Sequence, residues 1–288
     1  MLRQAKQERV FEVPVQPGQR HGLARPVRLN ADLKILLTGP EDAALTEFSW
    51  GRPDGIGTAA YWVDQARQLP ETTDYRLGGN LPEEVVACLL GGYGVKAETA
   101  LAAFRHLRAQ GLVRVDPPPA CAEIENALQH PLQVRRGSKP VRYRFPKQRG
   151  ERIAGALKFI ASEAAPEDPL SLRAWLLRVK GIGPKTASWL VRNLTGSGEV
   201  AIIDIHLLRA GVHAGFFRPQ WKLPNDYSRF EAAFLAYAWV ADVSPAALDS
   251  CIWGQLQVLG RKGRGLLPTP KEGCTCCSNA PGSGRATA

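Results

Sequence analysis

The stretch Val179-Lys180-Gly181-Ile182-Gly183-Pro184-Lys185-Thr186-Ala187 constrains this chain more than any other. Apolar residues at helical spacing lead into it from Ser171 and run out of it to Asn193, so the two glycines mark a turn between helices. Glycine permits backbone conformations and close approaches that a side chain blocks. Pro184 suits the first helical position, where its missing N–H is no loss. The first-turn N–H groups of the second helix then face outward with the helix dipole behind them, a place where a phosphate docks without sequence readout.

Lys185 falls on the first turn of that second helix, and Asp204 follows it by 19 residues in Ile202-Ile203-Asp204-Ile205-His206. An exposed lysine on a helix is ordinarily a solvated charge. A helix N-terminus in a partly dry groove disfavours an ammonium, and a neutral amine can attack an electrophilic carbon to form a Schiff base. Asp204 stands behind the apolar run Val200-Ala201-Ile202-Ile203 and is expected to N-cap a helix over His206 to Ala210. A capping carboxylate that also faces a groove can stabilise positive charge on a ribosyl carbon and handle protons. His206 can donate to a phosphate.

Such a site needs a polyanion, and the charge balance agrees. Lys and Arg number 37 against 27 acidic residues, a formal +10 over 288 residues. That surplus suits nucleic acid before a membrane surface, although a merely soluble basic protein has the same balance. No apolar run is long enough to span a bilayer. Met1 to Lys6 lacks the apolar core of an export signal, so a reducing cytoplasmic setting is expected. Cys88, Cys121, Cys251, Cys274, Cys276 and Cys277 then read as free thiols.

Along the chain, residues 1–60 form a segment of uncertain structure, with short strand-like runs at 10–15 and 33–37. The loop 48–57, rich in glycine, precedes a helix capped by Thr58. Helices are expected over 81–90, 97–110, 124–128, 152–161, 171–179, 185–193 and 230–240, with another opened by Pro245. His106 on the second of these reads as a surface histidine. Pro117-Pro118-Pro119 is a stiff break. Between Pro131 and Arg152 eight Lys or Arg residues face one acid, with Tyr143 and Phe145 interleaved. Such a segment can neutralise phosphates and stack on bases, or it can be a solvated charged loop; Arg144 and Lys147 are its candidate phosphate contacts. The expected organisation is a helical domain over 61–262, with the helix-turn-helix at about 171–193, and a flexible tail over 263–288.

Val179 to Ala187 together with Ile203-Asp204-Ile205-His206 resembles the helix-hairpin-helix-Gly/Pro-Asp DNA glycosylase superfamily, the one that includes endonuclease III. The resemblance is strongest over about 140–260. It implies that Lys185 marks a glycosylase with AP-lyase activity and that Asp204 is the superfamily's aspartate. Within the superfamily the chain looks most like the 8-oxoguanine DNA glycosylases of the compact bacterial and archaeal type, through the Lys185–Asp204 spacing and through Asp249-Ser250-Cys251-Ile252-Trp253. That last pattern resembles the part of those enzymes lining the damaged-base pocket. Its four-residue spacing puts both side chains on one helix face, Trp253 to stack on a flipped base and Asp249 to accept from it. A core tryptophan beside a solvated aspartate is the alternative. The iron–sulfur cysteines of endonuclease III have no counterpart here, since Cys274-Thr275-Cys276-Cys277 is too compressed, and neither a metal nor another cofactor is expected.

The resemblance thus implies a mainly α fold, with two helical lobes flanking a DNA-binding groove. The implied activity is a monomeric, bifunctional glycosylase/AP lyase acting on 8-oxoguanine in double-stranded DNA. Phosphates would dock on Gly181, Gly183, His206, Arg144 and Lys147, with Lys185 and Asp204 catalytic. Gln129, Tyr143 and Arg144 are candidates to fill the gap in the duplex. The alternatives are the same chemistry on another lesion, or a non-catalytic helix-hairpin-helix DNA-binding module. The latter gives no reason for Lys185, Asp204, Asp249 and Trp253 together.

Overall fold

The computed structural model describes residues 10–14, 31–38, 44–69, 76–92 and 94–267. Val15 of the first expected strand lies outside these residues, as do Cys274, Cys276 and Cys277. Among the described residues no helix is long and apolar enough to cross a membrane.

Two hydrophobic cores organise the molecule. Strands β1 (Val10–Pro14), β2 (Lys34–Thr38) and β3 (Ala44–Ser49) form a small sheet, parallel between the first two and antiparallel between the last two. Ile35 and Leu37 of β2 are fully buried, and Ile35 pairs with buried Phe48 on β3, the period-two pattern of a half-buried strand. The sheet packs on helices α1 (Ala59–Arg67), α8 (Ile205–Ala214), α9 (Tyr227–Val240) and α10 (Pro245–Leu266). Tyr237 fastens these pieces together. Its ring stacks on Phe216 at 4.3 Å, Phe48 and Trp50 lie 5.9 and 6.0 Å away, and its hydroxyl donates to the Ala59 carbonyl at 2.6 Å. Leu33, Ile35, Leu37, Phe48 and Trp50 therefore belong to this first core with helices from much later in the sequence.

The second core is wholly helical: α2 (Leu81–Leu90), α3 (Ala97–Ala109), α4 (Cys121–Gln129), α5 (Pro146–Ser162), α6 (Pro169–Leu176) and α7 (Pro184–Thr195). It is inserted in sequence between the two halves of the first. The fold is mainly α with two lobes, as the sequence implied, plus a sheet in the first lobe.

Local chemistry moves several boundaries. α5 opens at Pro146, so Lys147 and Arg149 stand on a helix where a loop was expected. Pro169 starts α6 behind Asp168, whose side chain accepts from Ser171 N at 2.8 Å. α10 runs past residue 262 to Leu266, and Leu267 is buried against Gly57, where an added Cβ would lie 2.7 Å from Leu267 Cδ2. Residues 263–266 of the expected tail thus lie in α10 and Leu267 in the core; residues 268–288 lie outside the described ones. Tyr143 is a further correction. It is 4 % exposed and donates to the Leu90 carbonyl at 2.6 Å, so it neither stacks on a base nor fills a gap.

α7 divides the lobes. Ala187, Leu190 and Val191 pack into the second core. Lys185, Ser188 and Arg192, spaced to share the opposite face, meet polar groups of the first lobe. Ser188 Oγ donates to Glu231 Oε1 of α9 at 3.2 Å; the same oxygen accepts from Ala201 N at 2.9 Å, and Glu231 Oε2 pairs with Arg173 of α6 at 2.7 Å. Burial raises the Glu231 carboxyl above its ordinary range, and Arg173 draws it back. Removing one partner of a buried ion pair leaves the other charge uncompensated. Glu231→Ala should therefore lower stability by about 3–5 kcal/mol in urea unfolding, and Glu231→Gln, which keeps an acceptor for Ser188 and Ala201, by clearly less.

Candidate active site

The site is built where the seam of α7 meets the ends of α8 and α10. The approach is a hairpin. Gly181 has φ +97°, a conformation that favours glycine, and a Cβ there would meet the Arg152 side chain of α5 at 2.6 Å. Gly183 differs: it is exposed, its φ is −98°, and nothing lies within 4 Å of its would-be Cβ. The space beside it is open to an external group. As the N-cap of α7, Gly183 has no side chain to satisfy the first-turn N–H groups, so that helix start is left open to an anion.

Lys185 follows on the first turn of α7, with its side chain 44 % exposed. Its Nζ lies 4.0 Å from Asp204 Oδ2. Asp204 is buried and caps α8, its Oδ1 accepting from His206 N at 2.8 Å and Leu207 N at 2.9 Å. The cap thus fixes the carboxylate: one oxygen is spent on the helix and the other faces the amine. His206 stands on the first turn of α8, as expected.

Asp249 completes the group from α10. It is 6 % exposed, and its Oδ2 forms a buried ion pair with Arg192 Nη1. Burial pushes the Asp249 carboxyl up from 3.8 to about 7; Arg192 pulls it down, Asp204 pushes it up and Lys185 pulls it down. Trp253 follows one turn along α10 and is 41 % exposed. Gln257, a further turn on, lines a separate cavity of about 510 Å³ with Lys96, Ala97, Glu98 and Arg135 of the second lobe.

The structure therefore brings Lys185, Asp204 and Asp249 together, with Trp253 on the same helix face as Asp249. The basic segment arrives less simply. Arg144 is exposed, its guanidinium 5.0 Å above the Phe145 ring, and Lys147 is exposed on the first turn of α5. Arg149 is buried and donates from Nη2 to the Gly91 carbonyl at 2.9 Å, and Arg135 pairs with Glu98. Arg136, Lys139 and Arg142 are exposed as well, so apart from Arg149 and half-buried Arg152 the segment presents its charge outward. Gln129 is exposed and its amide donates to Glu125 at 3.3 Å.

Sequence reasoning missed Arg192, Asn193 and Glu84. Asn193 Oδ1 accepts from Arg192 Nε and Nη2, both at 3.3 Å, and its amide donates to buried Glu84 of α2. The signal was present, because Arg192 falls two turns after Lys185 on one face of an amphipathic helix. Cys88 of α2 also lies here; burial raises its thiol, with Glu84 adding to the shift and Arg192 and Lys185 opposing it. Among the described residues no cluster of three or more His, Cys, Asp or Glu could hold a metal ion.

The Asp249 carboxyl has a consequence for stability. Its folded pKa of about 7 exceeds the ordinary 3.8, so between these values the folded protein holds a proton that the unfolded chain has released. Stability from this group is therefore greatest at low pH and declines as pH rises from about 4 to about 7. In urea titrations across that range Asp249→Asn should flatten the decline, so the variant gains on the wild type as pH increases and the difference levels off above the window.

The family model for the helix-hairpin-helix 8-oxoguanine DNA glycosylase matches residues 71–242. An 8-oxoguanine DNA glycosylase/AP lyase of Metallosphaera sedula is 29% identical over 203 residues, covering 66% of this chain and 90% of that protein. One from Saccharolobus solfataricus is 32% identical over 132 residues, covering 42% of this chain and 63% of that protein. Among solved structures, the 8-oxoguanine DNA glycosylase of Thermotoga maritima has a TM-score of 0.47 at 26% identity, over 69% of this chain and 88% of that one. The Methanocaldococcus jannaschii 8-oxoguanine glycosylase/lyase, bound to a 15mer DNA containing 8-oxoguanine, has a TM-score of 0.48 at 22% identity, over 69% and 89%. With more than half its length matched by the family model and the Lys185–Asp204 pair in place, the chain belongs to the 8-oxoguanine DNA glycosylase family.

Proposed function

We propose that this protein excises 8-oxoguanine from double-stranded DNA and then cleaves the strand at the abasic site it has made. The observation that carries this reading is the 4.0 Å approach of Lys185 Nζ to an Asp204 oxygen whose partner oxygen is tied to the start of α8. To attack, the ammonium must lose a proton, and Asp204 Oδ2 is placed to receive it. The amine then bonds to C1′ as the C1′–N9 bond breaks, and the departing base takes a proton. Carboxylate charge beside C1′ steadies the cationic character that develops there. Opening of the sugar ring gives the Schiff base, loss of a C2′ proton follows, and the 3′ phosphate leaves by β-elimination.

The damaged nucleotide would be held out of the duplex with its base against Trp253 and its N–H groups on Asp249. Gly181, Gly183 and His206 would take backbone phosphates near the amine, with Arg144 and Lys147 adding charge along the second lobe. These assignments rest on the open N-terminus of α7 and on the exposure of Arg144, Lys147 and Trp253. Every group in the scheme comes from one chain, which fits action as a monomer. The free thiols of Cys88, Cys121 and Cys251 fit a reducing cytoplasm.

Borohydride should trap wild-type protein covalently on a duplex containing 8-oxoguanine, and Lys185→Gln should abolish the adduct. Asp204→Asn should slow base release by roughly 100-fold or more, the scale of removing a preorganised electrostatic group. A Lys185→Gln protein that releases base and nicks DNA as the wild type does would instead mean that another group is the nucleophile. No adduct with wild type on this substrate would overturn the lyase reading.

A further inference from the structure

The Arg192–Asp249 pair has no part in the bond-breaking scheme above, yet a buried chain of hydrogen bonds supports it. Asp249 receives Arg192 Nη1 on Oδ2. Arg192 is held in turn by Asn193 Oδ1, and Asn193 by Glu84, so the guanidinium is fixed from behind by a buried chain reaching α2. The charged and titratable groups around the carboxyl are Arg192 and Lys185 of α7 and Asp204 at the start of α8, with Glu84 and Cys88 of α2 behind Arg192.

Guanine and its 8-oxo derivative differ at N7, which is a lone-pair acceptor in the first and an N–H donor in the second. An ionised carboxylate accepts from the donor and repels the lone pair. A protonated one can donate to the lone pair, and discrimination is lost. A site that commits a buried polar group to one substrate N–H rejects the analogue lacking it far more strongly than shape alone does. The state of Asp249 therefore decides selectivity, and burial works against the ionised state.

We propose that Arg192 is a positioning residue for lesion discrimination. By engaging Oδ2 it favours the ionised form of Asp249 and leaves Oδ1 to accept the N7–H that an oxidised purine has and guanine lacks. This rests on the reading above that Asp249 lines the base pocket. Lysine at this place would supply charge without the fork that contacts Asp249 and Asn193 together, and glutamine would supply neither.

The test compares single-turnover base release from duplexes carrying 8-oxoguanine or its 7-deaza analogue, in which carbon replaces N7. Wild type should prefer 8-oxoguanine at least about tenfold, with the preference growing as pH rises through about 7. Arg192→Gln should reduce the preference to within about threefold and move its pH dependence upward, because Asp249 then lacks its counter-charge. Arg192→Lys should restore part of the preference. In an Asp249→Asn background, Arg192→Gln should have no further effect, and this double variant also removes the unpaired buried charge that could destabilise the single one. Borohydride trapping on abasic DNA, which has no base to read, should change far less than base release in Arg192→Gln. A preserved preference in Arg192→Gln, or a parallel loss of trapping and base release, overturns the inference. A wild type that releases no 8-oxoguanine overturns the parent reading instead.

Discussion

The structure depends on one polar face of one helix. α7 buries Ala187, Leu190 and Val191 in the second lobe and turns Lys185, Ser188 and Arg192 toward the first. Each of the three meets a carboxylate from a different element: Asp204 at the start of α8, Glu231 on α9 and Asp249 on α10. Buried charge is tolerated only when paired and hydrogen-bonded, and here the partners of every rung come from across the lobe boundary. The seam that joins the lobes is thus also the row on which the candidate chemistry stands.

This arrangement separates tasks along the helix. The central rung is the most enclosed, with Glu231 receiving Arg173, Ser188 and Ala201 N at once. It carries no exposed group and acts as a fixed point. The N-terminal rung opens toward the hairpin, so its lysine remains reachable while its aspartate is held by α8. The C-terminal rung is buried and backed by Asn193 and Glu84. A site on helices braced in this way needs little reorganisation when substrate arrives, which is the condition for electrostatic groups to be effective.

Much of the fold was readable residue by residue because its signals are local. Thr58, Pro184 and Asp204 mark helix N-termini through capping and through proline's place in the first turn. The chain's errors of reading arose where a local signal has two meanings. Proline can end a helix or begin one, and at 146 and 169 it begins one. Tyr143 sits among arginines in sequence, yet its ring is drawn into the second core because the Leu90 carbonyl needs a donor and the core needs volume. In the sheet, β1 and β2 fall on the strand-like runs expected at 10–15 and 33–37, whereas β3 takes in Phe48 and Ser49 of the expected loop, because Phe48 packs on Phe216 and Tyr237, far away in sequence.

By itself the sequence determined the hairpin, the capped start of α8 and the candidate pair Lys185 and Asp204, since spacing within and between adjacent helices decides which side chains those elements present. It also determined that Asp249 and Trp253 share a face of α10. Only the tertiary structure decided what Asp249 faces. A carboxylate's charge state depends on which cation folding brings beside it and on how much water is excluded. Arg192 and Asp249 are 57 residues apart. The same holds for the first lobe, where buried residues such as Ile35 and Trp62 share one core with Phe216, Tyr237 and Ile252: apolar residues announce burial locally, but not the partner against which they are buried.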